Sequence, residues 1–220
     1  MASKSALVLL TGGSDSVTLL AWAVVGYICR ALYLRTLDQE NREIDSAKAA
    51  AEAANVKLDV IDFSRPIAAL VEGGTPIPFG CTLGLSMAVS HATRLGIDTV
   101  LLGINADDVN NPQIPELTCD YVEKFEEMVK TSRKTMSILT PFIQMSKHEV
   151  YELGKKLGVD YSKTWSCNNL QGNEHCGKCS SCTDRRKAFK LSSIRDQTSY
   201  VREDEDTGDL GVKEHICVIQ

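Results

Sequence analysis

No stretch of this 220-residue sequence approaches the roughly 20 consecutive apolar residues of a membrane helix. The first ten residues also lack a signal-peptide layout, so a cytoplasmic chain with no membrane partner is expected. Basic residues are not in excess: 24 Lys and Arg face 29 Asp and Glu, a formal net charge of −5. Nucleic-acid binding rests on neutralising phosphates, and this balance argues against direct contact with nucleic acid. Internal repeats and low-complexity blocks are absent. What remains is an ordinary globular composition, with 43% hydrophobic residues and length enough for one well-cored domain plus a small appendage.

The organising stretch lies near the N-terminus. An apolar run, Ala6 to Leu10, stops at Thr11-Gly12-Gly13-Ser14-Asp15-Ser16, and Val17 to Ala23 resumes with helix-compatible spacing. That order predicts a buried strand, a Gly-rich turn and a helix start. Two glycines allow a sharp turn with no Cβ in a ligand's way. Amides at the positive end of the following helix form an anion site, and the Thr11, Ser14 and Ser16 hydroxyls add donors. Asp15 is placed to hold Mg²⁺ or to orient the loop. The plain alternative is a strand–turn–helix capped by Ser14 or Asp15. No lysine precedes the last hydroxyl, as a Walker loop requires, and the third glycine of a dinucleotide fingerprint is missing.

Strands and helices then alternate. Strands are expected at 27–34, 57–63, 99–104 and 137–139, and helices at 41–54, 83–95, 121–132 and 147–157. A Gly/Pro-rich loop at 73–80 and a polar loop from Asp107 to Pro115 separate them. The pattern predicts an α/β fold, a parallel sheet with helices on both faces. Ligands in such sheets sit at the carboxyl ends of the strands, which puts Thr11–Ser16 and Asn105–Asp108 on one rim.

Eight cysteines in an intracellular chain suggest metal or catalysis before disulfides. Cys167, Cys176, Cys179 and Cys182 crowd into sixteen residues, with tight turns that suit a closed tetrahedral Zn²⁺ site of structural type. An iron–sulfur cluster is the rival, a redox pair or unliganded buried thiols the remaining options. His175, beside a ligand, is expected at the surface. The acidic segment from Ser199 reads as a flexible or partner-bound tail. Its last four residues, Cys217 to Gln220, formally fit a prenylation box that four terminal residues meet easily by chance.

Thr-Gly-Gly-Ser-Asp-Ser resembles the loop of the ATP pyrophosphatase (PP-loop) families, with Thr11 in place of the usual first Ser. The C-terminal half narrows the resemblance. Thr164-Trp165-Ser166-Cys167, then Cys176-Gly177-x-Cys179-x2-Cys182-x2-Arg185-x2-Ala188-Phe189, resembles the zinc signature of 7-cyano-7-deazaguanine synthases, the QueC family. Pro141-Phe142 and the stretch from Ser146-Lys147 to Gly158-Val159 are similar to that family's approach to it. The resemblance implies a PP-loop domain at 1–160, a zinc-binding extension at 161–198 and an acidic tail at 199–220, usually in a homodimer. It implies ATP-dependent conversion of a 7-deazaguanine carboxylate to an amide and then a nitrile, with ammonia as nitrogen donor and ATP, Mg²⁺ and Zn²⁺ bound. By the same implication Thr11, Gly12, Gly13, Ser14, Asp15 and Ser16 hold the triphosphate and Lys147 counters its charge.

The substrate side departs from the family pattern. Thr36 to Asn41, Pro78-Phe79-Gly80-Cys81 and Ile114 to Thr118 stand where the family has its recognition motifs. Glu116 and Asp108 are the remaining candidates for a guanine-type N–H edge. A paralogue that applies the same adenylation to another carboxylate or a protein acceptor is the alternative, with residues 73–82 or the tail as a partner surface. A degenerate nucleotide-sensing module is a third reading, disfavoured by the intact loop.

Overall fold

Ala6, Val8 and Leu10 are fully buried on one side of the first strand, and Leu7 and Leu9 are buried on the other. A strand apolar on both faces is stable only between two helical layers. The computed structural model, which describes residues 4–36, 42–69, 79–111, 115–168 and 173–201, has that architecture. Its strands are β1 (Ser5–Leu9), β2 (Ile28–Arg35), β3 (Leu58–Asp62), β4 (Thr99–Leu101) and β5 (Ser137–Leu139). Its helices are α1 (Ser14–Ala23), α2 (Arg42–Ala53), α3 (Ser64–Ala68), α4 (Gly80–Arg94), α5 (Ala106–Val109), α6 (Cys119–Lys130), α7 (Lys147–Lys156) and α8 (Ser180–Leu191).

All four strand pairings are parallel and the order is β3-β2-β1-β4-β5. The chain builds outward from β1 in one direction, then crosses back to β4 and builds in the other. That reversal leaves a crevice beyond the carboxyl ends of β1 and β4. Leu7, Leu9, Leu32, Val100 and Leu102 pack against α4 and α6 through Leu85, Ala88, Phe125 and Val129. Ala6, Val8, Ala31, Tyr33 and Leu101 pack against α1, α2 and α7 through Leu19, Leu20, Ala47 and Val150. A smaller cluster of Tyr151, Tyr161, Ala188 and Phe189 fastens α8 to α7.

Three local readings need correction. The expected polar loop from Asp107 contains α5, because Asn105 caps the amides of Asp107 and Asp108 while Asp108 returns a bond to the Asn105 amide. The fourth strand ends at Leu101 rather than Ile104, although the residues beyond it stay buried. The acidic segment is not free from its start: Ser199 and Val201 form backbone hydrogen bonds with His175. Residues 37–41, 70–78, 112–114 and 202–220, with Cys217, lie outside the described residues.

Candidate active site and cysteine centre

The turn after β1 is fixed by contact rather than by side-chain bonding alone. Gly12 has φ +87°, and a Cβ there would collide with the Glu43 carbonyl oxygen and lie 2.9 Å from the Ala47 nitrogen. The first turn of α2 packs so closely on the loop that only glycine fits. Gly13 N-caps α1 in extended geometry (φ −71°, ψ 160°) and no side chain caps the helix. The first-turn amides of α1 are therefore left for a ligand, and the capped-helix alternative does not form.

The hydroxyls divide between bracing and display. Ser16 Oγ donates to the Gly13 carbonyl at 3.0 Å and accepts from the Thr11 amide at 3.2 Å, while Thr11 Oγ1 accepts from the Gly13 amide at 3.3 Å. Ser14 Oγ accepts from the Tyr151 hydroxyl at 2.9 Å. Asp15 Oδ2 accepts from Lys147 Nζ at 2.8 Å. Its other oxygen, Oδ1, is buried with no hydrogen-bond partner, and an anionic oxygen in that state is costly unless something supplies charge to it.

Lys147 is not a solvated helix lysine; its side chain is 17% exposed. Burial works against its charge, but Asp15 and Asp108 outweigh burial and hold the ammonium above the usual lysine range. Its backbone amide donates to Asp107 Oδ2 at 2.7 Å, which ties the start of α7 to α5. Burial raises Asp108 to about 6, against the pull of Lys147 and with help from Asp15. Asn105, capping α5, is 0% exposed and its Nδ2 has no hydrogen-bond partner.

Thr11, Gly13–Ser16, Asp107, Asp108 and Lys147 line one cleft of about 550 Å³. Trp165 and, from α8, Ser181, Asp184 and Lys187 line it too. Glu116 is not among the lining residues. Its Oε1 accepts from the Thr82 amide at 3.0 Å and the Thr82 hydroxyl at 2.6 Å, so it secures the start of α4.

Outside that lining, the Sγ atoms of Cys167, Cys176, Cys179 and Cys182 all lie within 4.8 Å of one another. The Cys176 amide donates to Cys167 Sγ at 3.2 Å, and the Cys179 amide to Cys176 Sγ at 3.4 Å. Hydrogen bonds from the Cys167 and Cys182 thiols hold the Cys179 thiol well below its ordinary range. Cys179 N-caps α8, so this centre sits at the end of the helix that walls the cleft. A metal ion fits a donor set this convergent. His175 is buried, contrary to its expected place at the surface. Burial lowers it to about 4, and its neutral Nε2 accepts from the Ser166 amide at 3.2 Å.

The structure thus brings together Thr11 to Ser16, Asp108 and Lys147 in one place and the four cysteines in another. Sequence reasoning gives no role to Tyr151 or Tyr161, sets Asn105 on the ligand rim without a task, and meets Arg185 only as a motif position. Each acts across more than a hundred residues or through an unexposed polar group, which periodicity does not register.

The family model of QueC, queuosine biosynthesis protein QueC, matches residues 5–72 and 72–193. A 7-cyano-7-deazaguanine synthase of Acinetobacter baylyi is 33% identical over 89% of this chain and 95% of its own length. One from Saccharophagus degradans is 33% identical over 91% and 99%. Among solved structures, an NMN synthetase from Francisella tularensis superposes with TM-score 0.59 at 18% identity, over 89% of this chain and 79% of that one. That likeness shows the fold alone. With the motifs in order and the match running nearly end to end, this chain belongs to the QueC family.

Proposed function

We propose that the protein converts 7-carboxy-7-deazaguanine to 7-cyano-7-deazaguanine, using ATP and ammonia and releasing AMP and pyrophosphate. The observation that carries this reading is the uncapped amide turn at Gly13–Ser16, with Lys147 paired to its Asp15 in the same cleft, in a chain of this family. A carboxylate is a poor acyl donor. Its oxygen attacks the α-phosphorus of ATP, the bond to pyrophosphate breaks, and the acyl adenylate forms. Ammonia then displaces AMP to give the amide. The amide oxygen attacks a second ATP in the same way, and loss of AMP and a proton leaves the nitrile.

Thr11, Gly12, Gly13, Ser14, Asp15 and Ser16 cradle the triphosphate, with the free amides of α1 directed at the departing pyrophosphate. Lys147, held protonated, supplies a fixed positive charge to the same group. Asp108 offers a carboxylate to the N–H groups of the substrate. Mg²⁺ fits beside the unpartnered Asp15 Oδ1, where it offsets phosphate charge. Zn²⁺ fits the cysteine centre: bonds of about 2.3 Å set tetrahedral sulfurs about 3.8 Å apart, and Cys176 and Cys182 Sγ stand 4.0 Å apart. An iron–sulfur cluster spreads its thiolates more widely. Four thiolates leave no open position, so the ion is structural, in an extension covering 161–198. Family membership makes a cytoplasmic homodimer the expected assembly.

The test is AMP release with Mg-ATP, ammonium and 7-carboxy-7-deazaguanine, with products read by mass spectrometry. AMP together with the nitrile mass is expected. ATP binding without AMP formation on this substrate overturns the assignment.

A further inference from the structure

Arg185 is 0% exposed and heads the fully buried side chains by volume. Its guanidinium donates to four acceptors: Nε to Thr198 Oγ1 at 2.9 Å, Nη1 to Thr164 Oγ1 and Ser166 Oγ, both at 2.9 Å, and Nη2 to the Tyr161 carbonyl at 2.7 Å. Every one of these acceptors is uncharged. A buried cation without a carboxylate is expensive, so a cheaper apolar residue at this position has been forgone for something. Three of the four bonds converge on one short segment, Tyr161 to Ser166.

That segment is the brace of the loop. The Trp165 amide donates to the Gly12 carbonyl at 3.0 Å. The Tyr161 hydroxyl lies 2.9 Å from Thr18 Oγ1, which donates to the Ser14 carbonyl at 2.8 Å. Tyr161 also stacks on Tyr151 at 4.5 Å, and Tyr151 holds Ser14 Oγ. Both ends of the Gly12–Ser14 turn are therefore tied to residues that Arg185 anchors. Arg185 itself stands one helical turn after Cys182 on α8, on the same face. Four thiolates around a divalent ion carry a formal double negative charge, the complement that its neutral acceptors do not supply.

We infer that Arg185 is a positioning residue that couples the cysteine centre to the loop, so that the loop holds its binding geometry only while α8 is seated. The coupling is a property of the chain; its consequence for ATP rests on the loop reading above. Arg185→Lys keeps the charge, but one ammonium cannot span four separated acceptors. Three measurements decide the matter: bound metal, amide hydrogen exchange over residues 11–18, and Mg-ATP affinity by calorimetry. The variant is expected to retain its metal while exchange over 11–18 speeds at least tenfold and Mg-ATP binds at least tenfold more weakly. Unchanged exchange over 11–18, with faster exchange confined to 161–168, overturns the coupling. Should the variant fail to fold, Ser166→Ala removes one Nη1 acceptor and leaves the bond from the Thr164 hydroxyl to the Tyr161 carbonyl in place; it should speed loop exchange about twofold, and no change there overturns the proposal equally. A wild-type protein that binds no Mg-ATP, yet shows the exchange coupling, sinks the nucleotide reading and leaves the coupling standing.

Discussion

The Gly-rich loop lines the cleft, the cysteine centre sits at the start of α8, which also lines it, and the two are built by opposite means. The loop inherits its shape from the sheet. β1 is buried on both faces, Gly12 is wedged against α2, and the hydroxyls of Thr11 and Ser16 are bound within the turn. The cysteine centre has little apolar surface of its own, essentially Trp165 and the thiols, with Cys176 and Tyr200 only half-buried. Among its described residues, the regular structure outside α8 is one 3-10 turn at Tyr161–Lys163 and one bridge between His175 and Tyr200. Burial makes the first region, and a convergent thiol set with one buried guanidinium makes the second. The two should therefore fail in different ways.

The largest separation is expected from Cys179→Ser. Losing one of four ligands should release the metal and destabilise residues 161–201 by more than about 4 kcal/mol, because in such centres binding energy is folding energy. Metal analysis and hydrogen exchange check this; a metal-free variant with protected 161–201 would refute the structural role. Asp15→Asn should do the reverse. Turnover is expected to fall about 10²–10³-fold, since the carboxylate proposed to hold Mg²⁺ at the reacting phosphates is lost. Metal content and exchange over 161–201 should match wild type, and a parallel loss of metal would show that the two regions are not built separately.

The smallest effect concerns Asp108. Its carboxyl is raised to about 6 in the folded chain, from an ordinary value near 3.8, because burial disfavours its charge. The folded state then holds the proton more tightly than the unfolded state, so this group costs stability as pH rises from about 4 to 6. Asp108→Asn removes that cost while keeping an acceptor for the Asn105 amide. Its melting temperature should equal wild type near pH 4 and exceed it by about 2–4 °C at pH 7. A difference independent of pH would place the cost elsewhere.

Much of the loop side was legible in the sequence, because apolar runs and glycines report directly on strands and turns. β2, β3 and β5 fall within a residue or two of their expected bounds. The helix α8 was not anticipated. Its buried face is Cys182, Arg185, Ala188 and Phe189, and a pattern that scores cysteine and arginine as polar finds no stripe there. α5 was hidden for a related reason: its reciprocal Asn105–Asp108 cap reads as loop chemistry in a Pro- and Asn-rich stretch. Lys147 and the four cysteines were named from their motif positions, but only the fold shows Lys147 meeting Asp15. Glu116, a candidate substrate contact, has one carboxylate oxygen engaged by Thr82, a partner 34 residues away. Side chains that act over such distances leave no local trace.

The braces of the loop also set an order in time. Lys147 reaches Asp15 across 132 residues, Tyr151 reaches Ser14 across 137, and Tyr161 reaches Thr18 across 143. During synthesis the loop emerges first and its partners last, and long-range closures of this kind are slow to form. β1, the Gly-rich turn and α1 leave the ribosome early, yet the turn stays unbraced until the last third of the chain has followed. The site is finished from its far end, and α8 acts as the keystone.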